Sequence, residues 1–460
     1  MIRYGIDKSD PLSEYALTFL IEMSGFKGEQ LDLSEDISNM DLFYGNSESR
    51  ANLSIRRNTK DLIWLDLIDR KFAPERKSVL AFDIVNAVGA LLIDAPNRSP
   101  DRKGLDSDGR LKYDYSFQVK QGLSRLPLVN AYVLFFRDWI SNNLSKKPLP
   151  LWPEGKRCAI GLSHDVDKPI KYPLLKNSRL RKKPSLIIRP GYLARLSLSC
   201  AKYLIDKSRD DYWAFNEIVN SESELGLKST FFFATESLFD KHGTMRDVQY
   251  DIESPRFQEA FESIKRSGSE IGLHAGYAAY LDKGRFAKQK ERLEQLSGVK
   301  LRGLRHHCWH LGPDEERTFR MHEASGFEYD ASLAFNDSLG FRRNVAMPFS
   351  PYDTGLKREL VCLQLPNFCM DANVFGSQKE PPATVDDVIE FVKIVKKYEG
   401  VGVIDWHART SYPKGREYRE WGEGYQRIIK SLADDRDIWT TNLADISGWI
   451  LKRRGSLRVR

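Results

Sequence analysis

After residue 155 the chain alternates short apolar runs with longer amphipathic ones. The apolar runs are Cys158-Ala-Ile-Gly-Leu, Ser229-Thr-Phe-Phe-Phe-Ala, Glu270-Ile-Gly-Leu, Leu301-Arg-Gly-Leu, Leu360-Val-Cys-Leu-Gln-Leu and Val401-Gly-Val-Ile. Runs this short and mostly apolar, ending in polar residues, predict strands. Between them, residues 211–225, 255–267, 285–297, 313–324, 385–399 and 416–433 repeat apolar positions at three- and four-residue spacing, which predicts helices. Strand and helix alternating in this way predict an α/β fold with a parallel sheet, open or closed into a (β/α) barrel. In such a barrel, chemistry collects where strands end.

The first 150 residues have a different texture. Helical spacing covers 13–24, 77–92 and 128–140, and Leu42-Phe-Tyr and Leu62-Ile-Trp-Leu read as short strands. Residues 97–109 are rich in Asp, Gly, Ser and Pro and predict a loop. The Pro-rich Lys146-Lys-Pro-Leu-Pro-Leu-Trp-Pro marks a boundary between a smaller α/β domain at 1–150 and a second domain at 151–460.

Composition narrows the classes. At 41% hydrophobic and 29% charged residues, the chain is neither disordered nor collagen-like. Its 460 residues bury a large core without disulfide staples. The five cysteines are an odd number, widely spaced and without a C-x-x-C pair, which fits reduced thiols in a cytosol. The N-terminus lacks a basic patch followed by an apolar run, and the longest apolar stretch, 79–93, is interrupted by Asp83 and Asn86. The expectation is a cytoplasmic protein. A net charge of +7 does not call for nucleic acid. Its distribution is uneven: residues 168–209 hold 12 Lys or Arg against the single acid Asp206, and the tail from Lys452 is basic too. Two readings stay open for that insert, a solvated surface or a patch for lipid headgroups at the inner membrane or for an acidic glycan.

Of the eight histidines, six follow or end predicted strands: His164, His274, His306, His307, His310 and His407. His242 and His322 read as surface or structural. The first strand ends in Ser163-His164-Asp165-Val166-Asp167, where Asp165 and Asp167 share one side of an extended chain. Such a pair either caps a turn or holds a metal and a water. Imidazoles with carboxylates suit a divalent transition metal that keeps an open position. Cys308 reads as a buried thiol or a soft ligand. Trp309 and His310 read as core or as the lining of a sugar site, and Asp330 and Asp337 as turn caps or substrate contacts. Glu420-Trp-Gly-Glu-Gly-Tyr lacks the lysine and strand of a phosphate loop.

Taken in order, Ser163-His-Asp-Val-Asp, Ser229-Thr-Phe-Phe-Phe, Glu270-Ile-Gly-Leu-His, the strand bearing Arg305 and the late strand ending at His407 resemble the polysaccharide deacetylase (NodB-homology) family, carbohydrate esterase family four, over roughly residues 155–450. The first 150 residues look like an uncharacterised domain found ahead of such enzymes, through Leu42-Phe-Tyr-Gly, Phe82-Asp-Ile and Asp106-Ser-Asp-Gly-Arg. The resemblance implies a distorted (β/α) barrel of seven or eight strands. It implies metal-assisted removal of an acetyl group from an N-acetylated sugar, here one in a nucleotide- or lipid-linked surface-polysaccharide precursor. Carried over by position, Asp165 is the general base, Arg305 orients it, Asp167 and His274 bind the metal (zinc by expectation), and His407 is the general acid. The family's second motif histidine falls at Ala278. His307 is the first candidate to replace it as third ligand and His164 another. A barrel that has lost its metal and only binds glycan, and a metal-independent amide hydrolase, are the remaining readings.

Overall fold

The computed structural model describes residues 1–7, 10–32, 40–46, 51–58, 78–80, 82–98, 102–171, 210–237, 244, 246–376 and 382–458. The Leu62-Ile-Trp-Leu run, His242 and nearly all of the basic insert lie outside the described residues.

Among them, two parallel sheets organise the chain. The first has the order β2-β1-β3-β4-β5, with β1 Ile2–Ile6, β2 Gly28–Gln30, β3 Leu42–Gly45, β4 Leu53–Arg56 and β5 Val79–Leu80. The helical spacing at 77–92 is realised only from Ile84. Val79 pairs with Ser54, and the Asp83 carboxylate starts the helix Ile84–Leu92 by accepting from the Asn86 amide at 2.9 Å.

The second sheet runs β13-β10-β9-β8-β7-β6-β15-β14, with β16 beside β6. Its strands are β6 Cys158–Val166, β7 Thr230–Phe233, β8 Glu270–Ala275, β9 Gly303–His306, β10 Tyr329–Asp330, β13 Leu363–Gln364, β14 Asn367–Met370, β15 Val401–Asp405 and β16 Ile438–Thr441. A separate antiparallel pair, β11 Tyr352–Asp353 and β12 Arg358–Glu359, lies outside it. Each of the six apolar runs contributes to a strand. β10, β14 and β16 were not predicted, because two to four residues carry too little period to stand out. All nine residues of β6 are buried, and it is the central strand, pairing with β16 along its first half, β7 along its second and β15 along the other edge.

The chain itself shows that the sheet curls. β13 and β14 are the two ends of the ladder, yet only Leu365 and Pro366 separate them. Three Cα steps span at most about 11 Å, so the ends meet. The result is a distorted (β/α) barrel whose last seam is covalent rather than hydrogen-bonded. Amphipathic helices pack outside it, among them Phe215–Glu224, Pro255–Arg266, Lys283–Ser297, Glu315–Ala324, Val385–Lys397 and Arg419–Asp434. The last of these contains Glu420-Trp-Gly-Glu-Gly-Tyr, as ordinary helix.

The two sheets are not independent bodies. One apolar cluster joins Ile2, Leu20, Val88 and Trp139 to Phe232, Tyr329, Val401 and Ile450. Buried polar bonds cross the same contact: Asn130 Nδ2 donates to Ala346 O at 3.0 Å, the Ala346 amide returns to Asn130 Oδ1 at 2.9 Å, and Tyr15 donates to Ser350 O at 2.7 Å. The basic tail is part of this packing. It forms the helix Leu443–Leu457, in which Arg453 and Arg454 are buried, Arg453 donating to Glu22 O and Arg454 to Ser350 Oγ. Arg458 beyond it pairs with Glu22 and Glu359. Sequence patterning missed this helix because its inward face carries arginines. No described helix is long and apolar enough to cross a membrane.

Asp330, at the end of β10, is fully buried and accepts from the Ser332 amide at 3.0 Å. Burial pushes its carboxyl up to about 7, against the partial relief of the Ser332 bonds. The unfolded value is about 3.9. Between the two, the folded chain holds the extra proton, so this group's contribution to stability is lost as pH rises through 7. Asp330→Asn removes that loss. The expected result is that Tm of the variant minus Tm of the parent grows by about 1–3 °C between pH 5.5 and 8; a difference flat across that range would contradict it.

Candidate active site and metal centre

Because the barrel strands are parallel, their carboxyl ends lie at one mouth. β6 delivers Asp165 and Asp167 there, β8 His274, β9 Arg305 and His307, β14 Asp371, and β15 Asp405 and His407. Side-chain alternation sorts each run. On β6, Asp165 and Asp167 face inward, while His164 turns to the opposite side. There it meets Trp406 O and Glu222 Oε1 at 2.9 and 2.8 Å, with Tyr425 and Ser411 closing the network. His164 is therefore not at the cluster, which removes it as a candidate third ligand. On β9, His306 points into the core, its Nε2 2.8 Å from that of the buried His322, while Arg305 and His307 point to the mouth.

Asp167, His274 and His307 bring one carboxylate oxygen and two imidazole nitrogens within 4.8 Å of one another. His274 Nε2 lies 3.1 Å and His307 Nε2 3.7 Å from Asp167 Oδ1. His274 Nδ1 donates to Arg305 O at 3.2 Å, which leaves Nε2 as the lone-pair nitrogen facing the cluster. That backbone bond on the far ring nitrogen is how metal-binding imidazoles are usually aimed. Two imidazoles and a carboxylate are a donor set that fits a divalent metal such as zinc.

Two flanking pairs complete the site. On one side Asp165 Oδ1 accepts from Arg305 Nη1 at 2.8 Å, and Asp165 Oδ2 is 3.7 Å from His274 Nε2. Arg305 is fully buried. It also donates to Ser163 Oγ at 2.8 Å and Ala331 O at 3.0 Å, and lies over the Phe232 ring. Its Nη1 approaches Asp405 Oδ1 at 3.0 Å, a close contact without hydrogen-bond geometry. Burial raises both carboxyls, but differently. For Asp165 the Arg305 charge and His274 outweigh burial and hold it below the usual carboxylate range. For Asp405 burial wins, and it sits well above that range. One guanidinium thus keeps Asp165 ionised while Asp405 retains a proton.

On the other side His407 Nδ1 is 2.8 Å from Asp371 Oδ1, and its backbone N–H donates to Asp371 Oδ2 at 3.1 Å. Its Nε2 lies 3.0 Å from Asp167 Oδ2. Burial lowers the His407 pKa, but the Asp371 and Asp167 carboxylates outweigh it and raise it well above the ordinary imidazole value. Arg409 Nη1 stands 3.9 Å from Asp167 Oδ2. Sequence reading gave no role to Asp371, Asp405 or Arg409. Asp371 follows Asn367-Phe-Cys-Met, a stretch too short to stand out as a strand, and Asp405 sits two residues before His407.

The remaining candidates have other partners. His310 and Trp309 are buried, and His310 is held by the carbonyls of Tyr277 and Asp108 at 3.0 and 3.2 Å. Cys158, Cys308, Cys362 and Cys369 are free thiols. Asp330 binds within its own turn, and Asp337 accepts from the Tyr113 amide at 3.2 Å. His307 opens a turn in which Cys308 and Trp309 both take left-handed backbone, φ 57° and 52°. For non-glycine residues this costs about 1–3 kcal/mol each.

No family model and no curated protein matches the sequence. The fold is similar to solved structures at low identity. One is a Mycobacterium smegmatis protein assigned to the polysaccharide deacetylases, with TM-score 0.42 and 19% identity over 67% of this chain and 96% of that one. Another is the 4-α-glucanotransferase of Thermococcus litoralis, at 0.38 and 14% over 65% and 40%. A third is a peptidoglycan deacetylase from Bacillus subtilis, at 0.32 and 14% over 66% and 96%.

Arg305→Met leaves Asp165 buried without its guanidinium partner. The expected cost is about 3–5 kcal/mol of unfolding free energy, with part regained in Arg305→Met/Asp165→Asn. Urea unfolding of the two variants checks this, and a loss under about 1 kcal/mol would place the charge pair in water instead.

Proposed function

We propose that this chain is a metal-dependent deacetylase that hydrolyses the acetamide of an N-acetylated sugar. The observation that carries the reading is the arrangement around Asp167: a two-histidine, one-carboxylate cluster with an arginine-held carboxylate, Asp165, on one flank and a carboxylate-held imidazole, His407, on the other. Amide hydrolysis needs a base for water, stabilisation of the developing oxyanion and an acid for the amine, and these three positions supply that set.

Asp167, His274 and His307 would hold the ion. When bound, a divalent metal such as zinc polarises the acetyl carbonyl and acidifies water at its open position. Asp165, ionised beside Arg305, accepts the proton of the attacking water; its Oδ2 is the oxygen facing the cluster. Arg305 fixes its rotamer through Oδ1 and leaves Oδ2 free for that proton. His407, kept as imidazolium by Asp371, turns Nε2 toward the same space and gives its proton to the leaving nitrogen. Acetate and a free amino sugar result. Asp371 contributes by fixing the imidazole through Nδ1 and by raising its pKa.

The substrate class follows from less. The 12 basic residues of the 168–209 stretch support a sugar on an anionic carrier, a nucleotide- or lipid-linked polysaccharide precursor at the inner membrane. The four cysteines among the described residues are free thiols, which supports a reducing, cytoplasmic setting.

Acetate release from nucleotide-linked N-acetylhexosamine and from N-acetylated oligosaccharides tests the reading. Zinc-loaded protein is expected to release acetate, chelation to abolish it and added zinc to restore it. Turnover that survives complete chelation would point to Asp165 and His407 acting alone, and no release from any such substrate by folded, zinc-loaded protein would overturn the reading. Asp165→Asn and His407→Ala are each expected to lower kcat by about 10²–10⁴-fold. Asp371→Asn removes the main cause of the high His407 pKa. The acid form then disappears at lower pH, so the basic limb of the kcat profile moves to the acid side; an unmoved limb would exclude His407 as the proton donor.

A further inference from the structure

Among the described residues, a small hairpin of the N-terminal region reaches the loops beside the site. Leu105 and Leu111 form an antiparallel bridge, and the turn between them is knotted by Asp106. Asp106 Oδ1 accepts from the amides of Asp108 and Arg110, both at 2.9 Å, and Gly109 supplies the left-handed position at φ 78°. The hairpin therefore presents Asp108 and Arg110 from a fixed backbone. Arg110 is anchored by Asp106 Oδ2 at 2.8 Å and Asp108 Oδ2 at 3.0 Å, and its Nη1 donates to the carbonyl of Cys308.

Cys308 is the first left-handed residue of the turn that begins at His307. Neither Cys308 nor Trp309 adopts this backbone unaided, so something must hold it. The Arg110 guanidinium is a charged donor on the carbonyl at the centre of that turn, and it comes from nearly 200 residues upstream. Asp108 grips the neighbouring loop. Its Oδ1 accepts from Tyr277 at 2.9 Å, three residues after His274, and its backbone carbonyl faces His310, three residues after His307. Tyr277 and His310 stack at 4.3 Å, and Arg246 lies over the outer face of Tyr277 while pairing with Asp108. The loops that follow two cluster histidines are thus tied to one hairpin.

We infer that Arg110 is a positioning residue of the metal centre: it pins the strained His307–Trp309 turn and so aims the His307 imidazole at Asp167, which gives the N-terminal region a direct part in metal affinity. This rests on the cluster reading proposed above. Ordinary zinc sites lose 10–100-fold in affinity when a group that orients a ligand is removed.

The test uses the full chain. Zinc affinity is measured by competition with a chromophoric chelator, and cobalt substitution reports the ligand field by visible absorption. Arg110→Ala is expected to bind zinc about 10–100-fold more weakly than the parent, to change the cobalt spectrum in the direction that His307→Ala does, and still to unfold cooperatively in chelator, which shows that the fold is intact. Arg110→Lys, which retains a donor for the Cys308 carbonyl, is expected to fall between, and it carries the comparison if the alanine variant does not fold. A parent chain that binds zinc stoichiometrically while both Arg110 variants match it in affinity and cobalt spectrum overturns this inference alone. A parent chain without stoichiometric zinc overturns the cluster reading with it.

Discussion

A positive charge with no access to water organises the barrel mouth. Arg305 is wholly buried, and a desolvated guanidinium is tolerated only where counter-charges and hydrogen-bond acceptors surround it. Here they come from separate parts of the sheet: the Asp165 carboxylate and Ser163 on β6 and the Ala331 carbonyl after β10, with the Asp405 carboxyl of β15 packed alongside. In a flat sheet β9 and β6 would stand three strand spacings apart, ~14 Å. Curling the sheet brings their side chains to 2.8 Å. The ion pair and the curvature therefore require each other. A slip of one residue in β9 would send Arg305 to the helix side, where His306 now meets His322.

The same constraint divides the carboxylates by task. With two acids near one guanidinium, the better hydrogen-bonded one stays charged and the other keeps its proton. Asp165 stays an ionised carboxylate with a fixed orientation, while Asp405 packs beside the guanidinium in its protonated form. His407 lies across the mouth, where Asp371 sets the opposite bias and holds a proton on the ring. An ionised carboxylate and a protonated imidazole thus sit on either side of the Asp167 cluster, each tuned by a buried partner.

The N-terminal region belongs to this arrangement rather than trailing from it. It shares an apolar cluster with the barrel and ties down its loops through charged groups, and the C-terminal helix adds Arg453 and Arg454 against Glu22 and Ser350. Loops at a barrel mouth are the part least fixed by the sheet. Two of them are held here by the hairpin at 105–111, so the rigidity of the cluster histidines draws on residues far from them in the chain.

By itself the sequence determined the strand and helix alternation, six of the barrel strands and the residue types at their ends, because apolar period and strand length are local properties. It also placed Asp165, Asp167, His274, Arg305, His307 and His407 at strand ends, from the same periodicity. It left His164 and His307 as rival ligands. Tertiary structure separated them, since which face of β6 or β9 turns inward depends on the curl of the whole sheet. Asp371, Asp405 and Arg110 gained their roles only in space. A carboxylate or guanidinium becomes a pKa setter or a clamp through what it is buried against, and the partners here lie tens to hundreds of residues away. The strands too short to show a period, and the terminal helix whose inner face is basic, were invisible for the related reason that packing, not local pattern, stabilises them.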